Sequence, residues 1–206
     1  LQRIGAQLAD SGVRVTLRTA HYPGAARRET VDGVEIQRVG GRHSVYVWAG
    51  LAMAAAVIGL GPLRHVRPDV VVDTQNGLPF LARLVYGRRV VVLVHHCHRE
   101  QWPVAGRVMS RIGWFVESWL SPRVHRHNQY VTVSLPSARD LTLLGVDADR
   151  VAIVRNGLDA APGATLTPAR STTPRVVVLS RPAPPQQLED CLLNTSEAAP
   201  PTTTRT

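Results

Sequence analysis

The hexapeptide at 95–100, His-His-Cys-His-Arg-Glu, is the densest concentration of chemically able side chains in this sequence. Imidazole, thiol, guanidinium and carboxylate groups could ligate a metal, donate to phosphate oxygens, or accept from sugar hydroxyls. A closed zinc site needs ligands that converge on one point. Side chains leaving a strand at successive positions point in opposite directions, and no CxxC or HxxxH spacing supplies further ligands. The segment therefore reads as a loop that sets His95, His96, Arg99 and Glu100 beside a phosphate-bearing or sugar ligand, with no metal and no cofactor expected.

What positions that loop is the apolar run before it, RRVVVLV at 88–94. Three other runs end in the same manner. PDVVVD (68–73) leads into Thr74-Gln75-Asn76-Gly77, YVTV (130–133) into Ser134, and RVAIV (150–154) into Arg155-Asn156-Gly157. Near-continuous Val/Ile runs separated by helical stretches predict a parallel sheet covered on both faces. Ligands of such sheets bind beyond the carboxyl ends of the strands. Asn76, His95, Ser134, Asn156 and Gly157 are accordingly expected on one rim.

The remaining elements follow from pattern. Leu1, Ile4 and Leu8 share a helical face that stops at Gly12, and Val13, Val15 and Leu17 then alternate as a strand. Asp32-Gly33 marks a tight turn before Val34 and Ile36. The expected fold is α/β: a doubly wound parallel sheet, Rossmann-like, over residues 1–159. In an alternating α/β chain a strand precedes the opening helix, so the sheet is expected to lack its first strand, a central one in the doubly wound order. Residues 160–173 read as a linker, 174–193 as the start of an incomplete second domain, and 194–206 as a disordered tail.

Composition narrows the function classes. The formal charge of +9 is carried by arginine alone, for the sequence has no lysine. The arginines are scattered, a pattern that a GC-rich genome produces, so nucleic acid is not expected as a partner. Cys97 and Cys191 stand far apart, which excludes a disulfide framework and suits a reducing cytoplasm. No basic-then-apolar leader is present at residue 1. Residues 44–63 are uncharged over about the length of a membrane span, but their Ala and Gly content and closing Gly-Pro favour a buried helix. Residues 107–120 place Val108, Ile112, Phe115, Val116 and Trp119 at helical spacing among arginines. This helix is expected to pack its apolar face on the sheet, the alternative being contact with an anionic membrane surface at the inner face of the membrane.

The strand ends also carry a resemblance. Residues 131–159, VTVSLPSARDLTLLGVDADRVAIVRNGLD, resemble the segment that closes the N-terminal domain of family-4 retaining glycosyltransferases of the GT-B fold. The matching positions are Ser134, Leu144-Gly145, Arg150-Val151, Asn156-Gly157 and Asp159. VDGVEIQRV (31–39), PDVVVDTQNGLPF (68–80) and VVVLVHHCHREQWP (90–103) are similar to earlier segments of that family, and the resemblance covers nearly all of residues 1–180.

The resemblance implies transfer of a sugar from a nucleotide-sugar donor to a glycan or lipid-linked acceptor with retention at the anomeric carbon. His95 would lie against the donor sugar and its phosphates as the catalytic residue, Asn156 would lead into the interdomain crossover, and Arg181 would meet a donor phosphate. Two departures accompany it. The family's first strand and glycine-rich loop would precede Leu1, and Gln186 stands where the family has a lysine. Fewer donors would then stabilise the leaving diphosphate, so the chain alone is expected to be an inactive fragment, the alternative being a non-catalytic sugar- or phosphate-binding module.

Overall fold

Alternating apolar residues and one compact turn build the first layer of the computed structural model, which describes residues 2–41, 43–97, 102 and 106–157. Strands β2 (Arg28–Val31) and β3 (Val34–Arg38) form an antiparallel hairpin. Its two-residue turn holds Asp32 at φ 50° and Gly33 at φ 74°. Both central residues of that turn need positive φ, which an Asp-Gly pair supplies at little cost. Strand β1 (Val15–Thr19) pairs with β3 in parallel, giving a three-stranded sheet of order β1-β3-β2. Helix α1 (Gln2–Asp10) lies on this sheet through Gly5, where a Cβ would stand 3.1 Å from Val34 Cγ2.

The second layer is parallel throughout. Strands β4 (Val71–Gln75), β5 (Val90–Val94), β6 (Gln129–Thr132) and β7 (Val151–Ile153) pair in that order. Val90, Val92 and Val94 alternate inward and meet Tyr130, Leu141, Ala82, Ala52 and Met53 in the main apolar core. Between the strands run α2 (Val45–Val57), α3 (Arg83–Tyr86), α4 (Arg107–Phe115), α5 (Ser121–Val124) and α6 (Leu135–Leu143). A turn of π-helix, Val116–Leu120, joins α4 to α5. The result is a Rossmann-like α/β unit, as the Val/Ile runs predict.

Three expectations are corrected. The sheet is in two hydrogen-bonded pieces, β1-β3-β2 and β4-β5-β6-β7, rather than one. Second, α2 is not a buried helix. It turns Val45, Ala49, Ala52 and Met53 inward while Val47, Trp48 and Leu51 face solvent, because a sheet can cover only one side of a helix that is apolar all round. Third, α4 does not pack its apolar stripe on the sheet. Only Gly113 of α4 is buried, and Val108, Ile112 and Phe115 are exposed, as is Trp119 in the π turn. Among the described residues no helix is long and apolar enough to cross a membrane. The segments 160–173, 174–193 and 194–206 lie outside the described residues.

Candidate functional site

The registers Gln75↔Val94, Val94↔Thr132 and Thr132↔Ile153 bring the C-terminal ends of β4 to β7 level with one another. Asn76, His95, Ser134 and Asn156 leave the sheet within three residues of those positions, so the four segments emerge at the same end. His95 is half-buried, while Asn76, His96, Asn156 and Gly157 are exposed. Arg99, Glu100 and Arg181 lie outside the described residues.

Two of these segments are joined directly. Ser134 is extended at φ −150° and caps α6, its Oγ accepting from the Ser137 N–H at 3.3 Å. Ser137 in turn donates its hydroxyl to the His95 carbonyl at 3.0 Å. The cap therefore fixes the backbone of His95 beside the positive end of α6, where orphan N–H groups favour an anion. After β4 the chain turns through Gly77 at φ 90°.

Beneath this rim lies a buried polar layer that pattern reading did not single out. Asp73 accepts from the N–H groups of Phe80 and Ala82, each at 2.9 Å, and so holds the turn in which Leu81 takes φ 53°. A positive φ at leucine costs of order 1–3 kcal/mol, which these two charge-assisted bonds offset. Gln75 accepts from Ser121 at 2.6 Å, and Glu117 accepts from the Trp102 indole. Arg83 donates to Asn128 Oδ1, and Asn128 donates to the carbonyls of Gly87 and Val90.

His125 is fully buried with Nε2 3.7 Å from Asp73 Oδ2, beyond hydrogen-bond range. Burial pushes its imidazole below the ordinary value, against the opposing pull of Asp73 and Asn128. The layer has one signal in the sequence: Asp73 and Gln75 alternate at inward positions of a strand that opens on Val71 and Val72.

The carboxylates of this layer, Asp73 and Glu117, are committed to donors below the rim. What faces outward is rich in amide, imidazole and hydroxyl groups, suited to sugar hydroxyls and phosphate oxygens. The Cys97 thiol is pushed up to about 12 by burial, with Glu117 and Asp140 adding to the effect, which keeps the thiolate scarce at neutral pH. Among the described residues no three His, Cys, Asp or Glu side chains cluster as metal ligands.

The sequence model of the glycosyl transferase 4-like domain matches residues 1–157. The chain belongs to this glycosyltransferase family. No curated protein and no solved structure matches it. The family match takes in both sheets of the glycosyl transferase 4-like domain and each described rim residue. Its parallel β4–β7 sheet, flanked by helices, is a Rossmann-like half of a GT-B fold.

Proposed function

We propose that this chain forms the acceptor-side half of a retaining glycosyltransferase. The reaction moves a sugar from a nucleotide-sugar to a glycan or lipid-linked acceptor, with His95 at the donor sugar. Asn76, His96, Ser134, Asn156 and Gly157 line the substrate side, joined by Arg99, Glu100 and Arg181. The observation that carries the reading is the Ser134–Ser137–His95 link, which ties the His95 backbone carbonyl to a capped helix N-terminus at the common end of β4 to β7. An imidazole and a helix dipole together favour the charge that develops on a leaving diphosphate. Gln186 in place of the family's lysine removes one cation from that charge, so turnover by this chain is expected to be low.

Binding is therefore the decisive measurement. Saturation-transfer NMR with UDP-, GDP- and ADP-sugars and with soluble glycans should report contact that His95→Ala and Asn156→Ala weaken at least tenfold. Any product formed should keep the donor's anomeric configuration. Ligand contact that is unchanged in both variants would refute the assignment.

A second element of the reading concerns the acceptor. The exposed stripe of Val108, Ile112, Phe115 and Trp119 lies beside Arg107, Arg111 and Arg123, an arrangement that suits the surface of an anionic membrane. Arg123 stands 4.3 Å over the Trp119 ring, which keeps the cation beside the aromatic. The same face would then meet a lipid-linked acceptor at the membrane surface.

A further inference from the structure

A second set of chemistry-bearing side chains gathers on the three-stranded sheet, away from the β4–β7 rim. Gln37 of the central strand β3 stands opposite Arg18 of β1 on one side and Arg28 of β2 on the other. Directly paired residues share a face, so two guanidiniums flank one buried amide. Gln37 accepts from Arg18 at 3.0 Å and donates to Glu35 at 2.8 Å. Arg27 and Arg38 approach the same depression, whose volume is about 260 Å³.

Arg38 has a carboxylate within ion-pair range, Glu29 at 2.5 Å, and also donates to the Ala26 carbonyl. Among the described residues Arg18, Arg27 and Arg28 have none. The Nε atoms of Arg18 and Arg38 are buried with no hydrogen-bond partner. A buried donor left unpaired costs about 1–3 kcal/mol, more when charged. Burial, and then the positive charge of Arg28, hold the Arg18 guanidinium below its ordinary value. Like charges are thus crowded together with donor capacity unspent.

An oxyanion offsets the crowded positive charge, and a phosphate matches the guanidinium fork in charge and geometry. A second depression, about 250 Å³, adjoins the first at Arg27, Arg38 and Val39 and extends to His21 and Gly40. The two together fall in the size range of small-molecule sites, about 300–1,000 Å³.

We infer that this face is a binding site for a small phosphorylated ligand, with Arg18, Arg27 and Arg28 on the phosphate and the ligand body lying toward His21 and Gly40. The inference goes beyond the transferase reading and does not depend on it, because it rests on Arg18, Arg27 and Arg28 of the three-stranded sheet and on none of the rim residues.

The test is calorimetry on the full chain at fixed ionic strength, with inorganic phosphate, a hexose 6-phosphate, the unphosphorylated hexose, and vesicles of anionic lipid. Both phosphates should bind saturably, the hexose 6-phosphate more tightly, and the plain hexose not at all. Arg28→Gln and Arg27→Gln, both at exposed positions, should each weaken the two phosphates at least tenfold, whereas Arg139→Gln on α6 should leave them unchanged. Circular dichroism would establish that each variant is folded. The inference is overturned if neither phosphate saturates, if the arginine variants bind both as wild type does, or if vesicles alone bind.

Discussion

Trp102 donates its indole N–H to Oε2 of Glu117 at 2.5 Å, joining the segment after β5 to the π turn that follows α4. Glu117 is fully buried. The same ring lies close to Gly77 after β4, where a Cβ would stand 3.1 Å from it, and it covers Gly113 of α4. One aromatic side chain thus links two strand exits of the rim to the helix that carries the exposed apolar stripe. Glycine is needed at 77 and 113 for different reasons: the first has φ 90°, the second has no room.

Gly113→Ala should accordingly displace Trp102. The added methyl overlaps the six-membered ring, and overpacking of this kind costs typically about 1–3 kcal/mol. Thermal unfolding should shift down and tryptophan emission should move to the red as the indole reaches water. Gly50→Ala in α2 is the matched control, because nothing lies within 4 Å of a Cβ there. Its expected effect is neutral, or stabilising by about 0.5–1 kcal/mol through helix propensity. Equal responses from the two variants would dismiss the stacked arrangement.

How far the sequence reaches can be argued from these same residues. The runs at β4, β5, β6 and β7 are legible because a strand buried on both faces must be apolar at consecutive positions. The rim residues are legible because each follows such a run. The polar layer beneath is not, since its partners are remote: Ser121 reaches Gln75 across 46 residues and Arg83 reaches Asn128 across 45. Nothing local marks His125 as buried or Glu117 as the acceptor for Trp102. The exposure of the stripe on α4 escapes the sequence for a related reason. Periodicity shows that a helix has an apolar face, but not what covers that face. Likewise the β1 pattern predicts a strand and leaves its neighbour open.

Acidification should destabilise the fold through His125. Burial lowers its folded-state value below the ordinary 6.5, while the unfolded chain takes up the proton near that ordinary value. Between the two, the unfolded state binds more protons, so stability rises with pH across that window. The contribution of His125 is complete above about 6.5 and is lost as pH falls through the folded value. Melting temperatures recorded from pH 8 to pH 5 should decline on the acid side. In His125→Gln the acid-side decline should be shallower, even if the variant is less stable throughout. A wild-type curve flat over this range would rule out the neutral buried imidazole.

Cys97 should resist alkylation in the folded chain. With its thiol pushed up to about 12, the thiolate is scarce at neutral pH, and an ordinary cysteine near 8.5 carries far more. Iodoacetamide labelling followed by peptide mass spectrometry separates Cys97 from Cys191. The expected rate at Cys97 is at least a hundredfold below that of a free thiol at pH 7.5, recovering fully in denaturant. Native labelling at the free-thiol rate would show that the site is neither buried nor surrounded by acidic groups.

The exposed stripe yields the sharpest expectation about location. Val108, Ile112, Phe115 and Trp119 are 69%, 50%, 51% and 45% accessible, a cost in water that a lipid surface would remove. Full burial of one such side chain contributes about 1.5–3 kcal/mol, and each arginine near an anionic surface about 1 kcal/mol. Ile112→Ser with Phe115→Ser should therefore cut partition into anionic vesicles at least tenfold, since about 1.4 kcal/mol is tenfold. Arg107→Gln with Arg111→Gln should weaken binding to anionic vesicles and leave neutral ones unaffected. These are solvent-facing positions, so neither double variant should lower the melting temperature. Sedimentation with vesicles of phosphatidylglycerol or of phosphatidylcholine, at low and high salt, distinguishes the apolar contribution from the ionic one. If the wild-type chain stays in the supernatant with phosphatidylglycerol at low salt, the stripe does not meet a membrane.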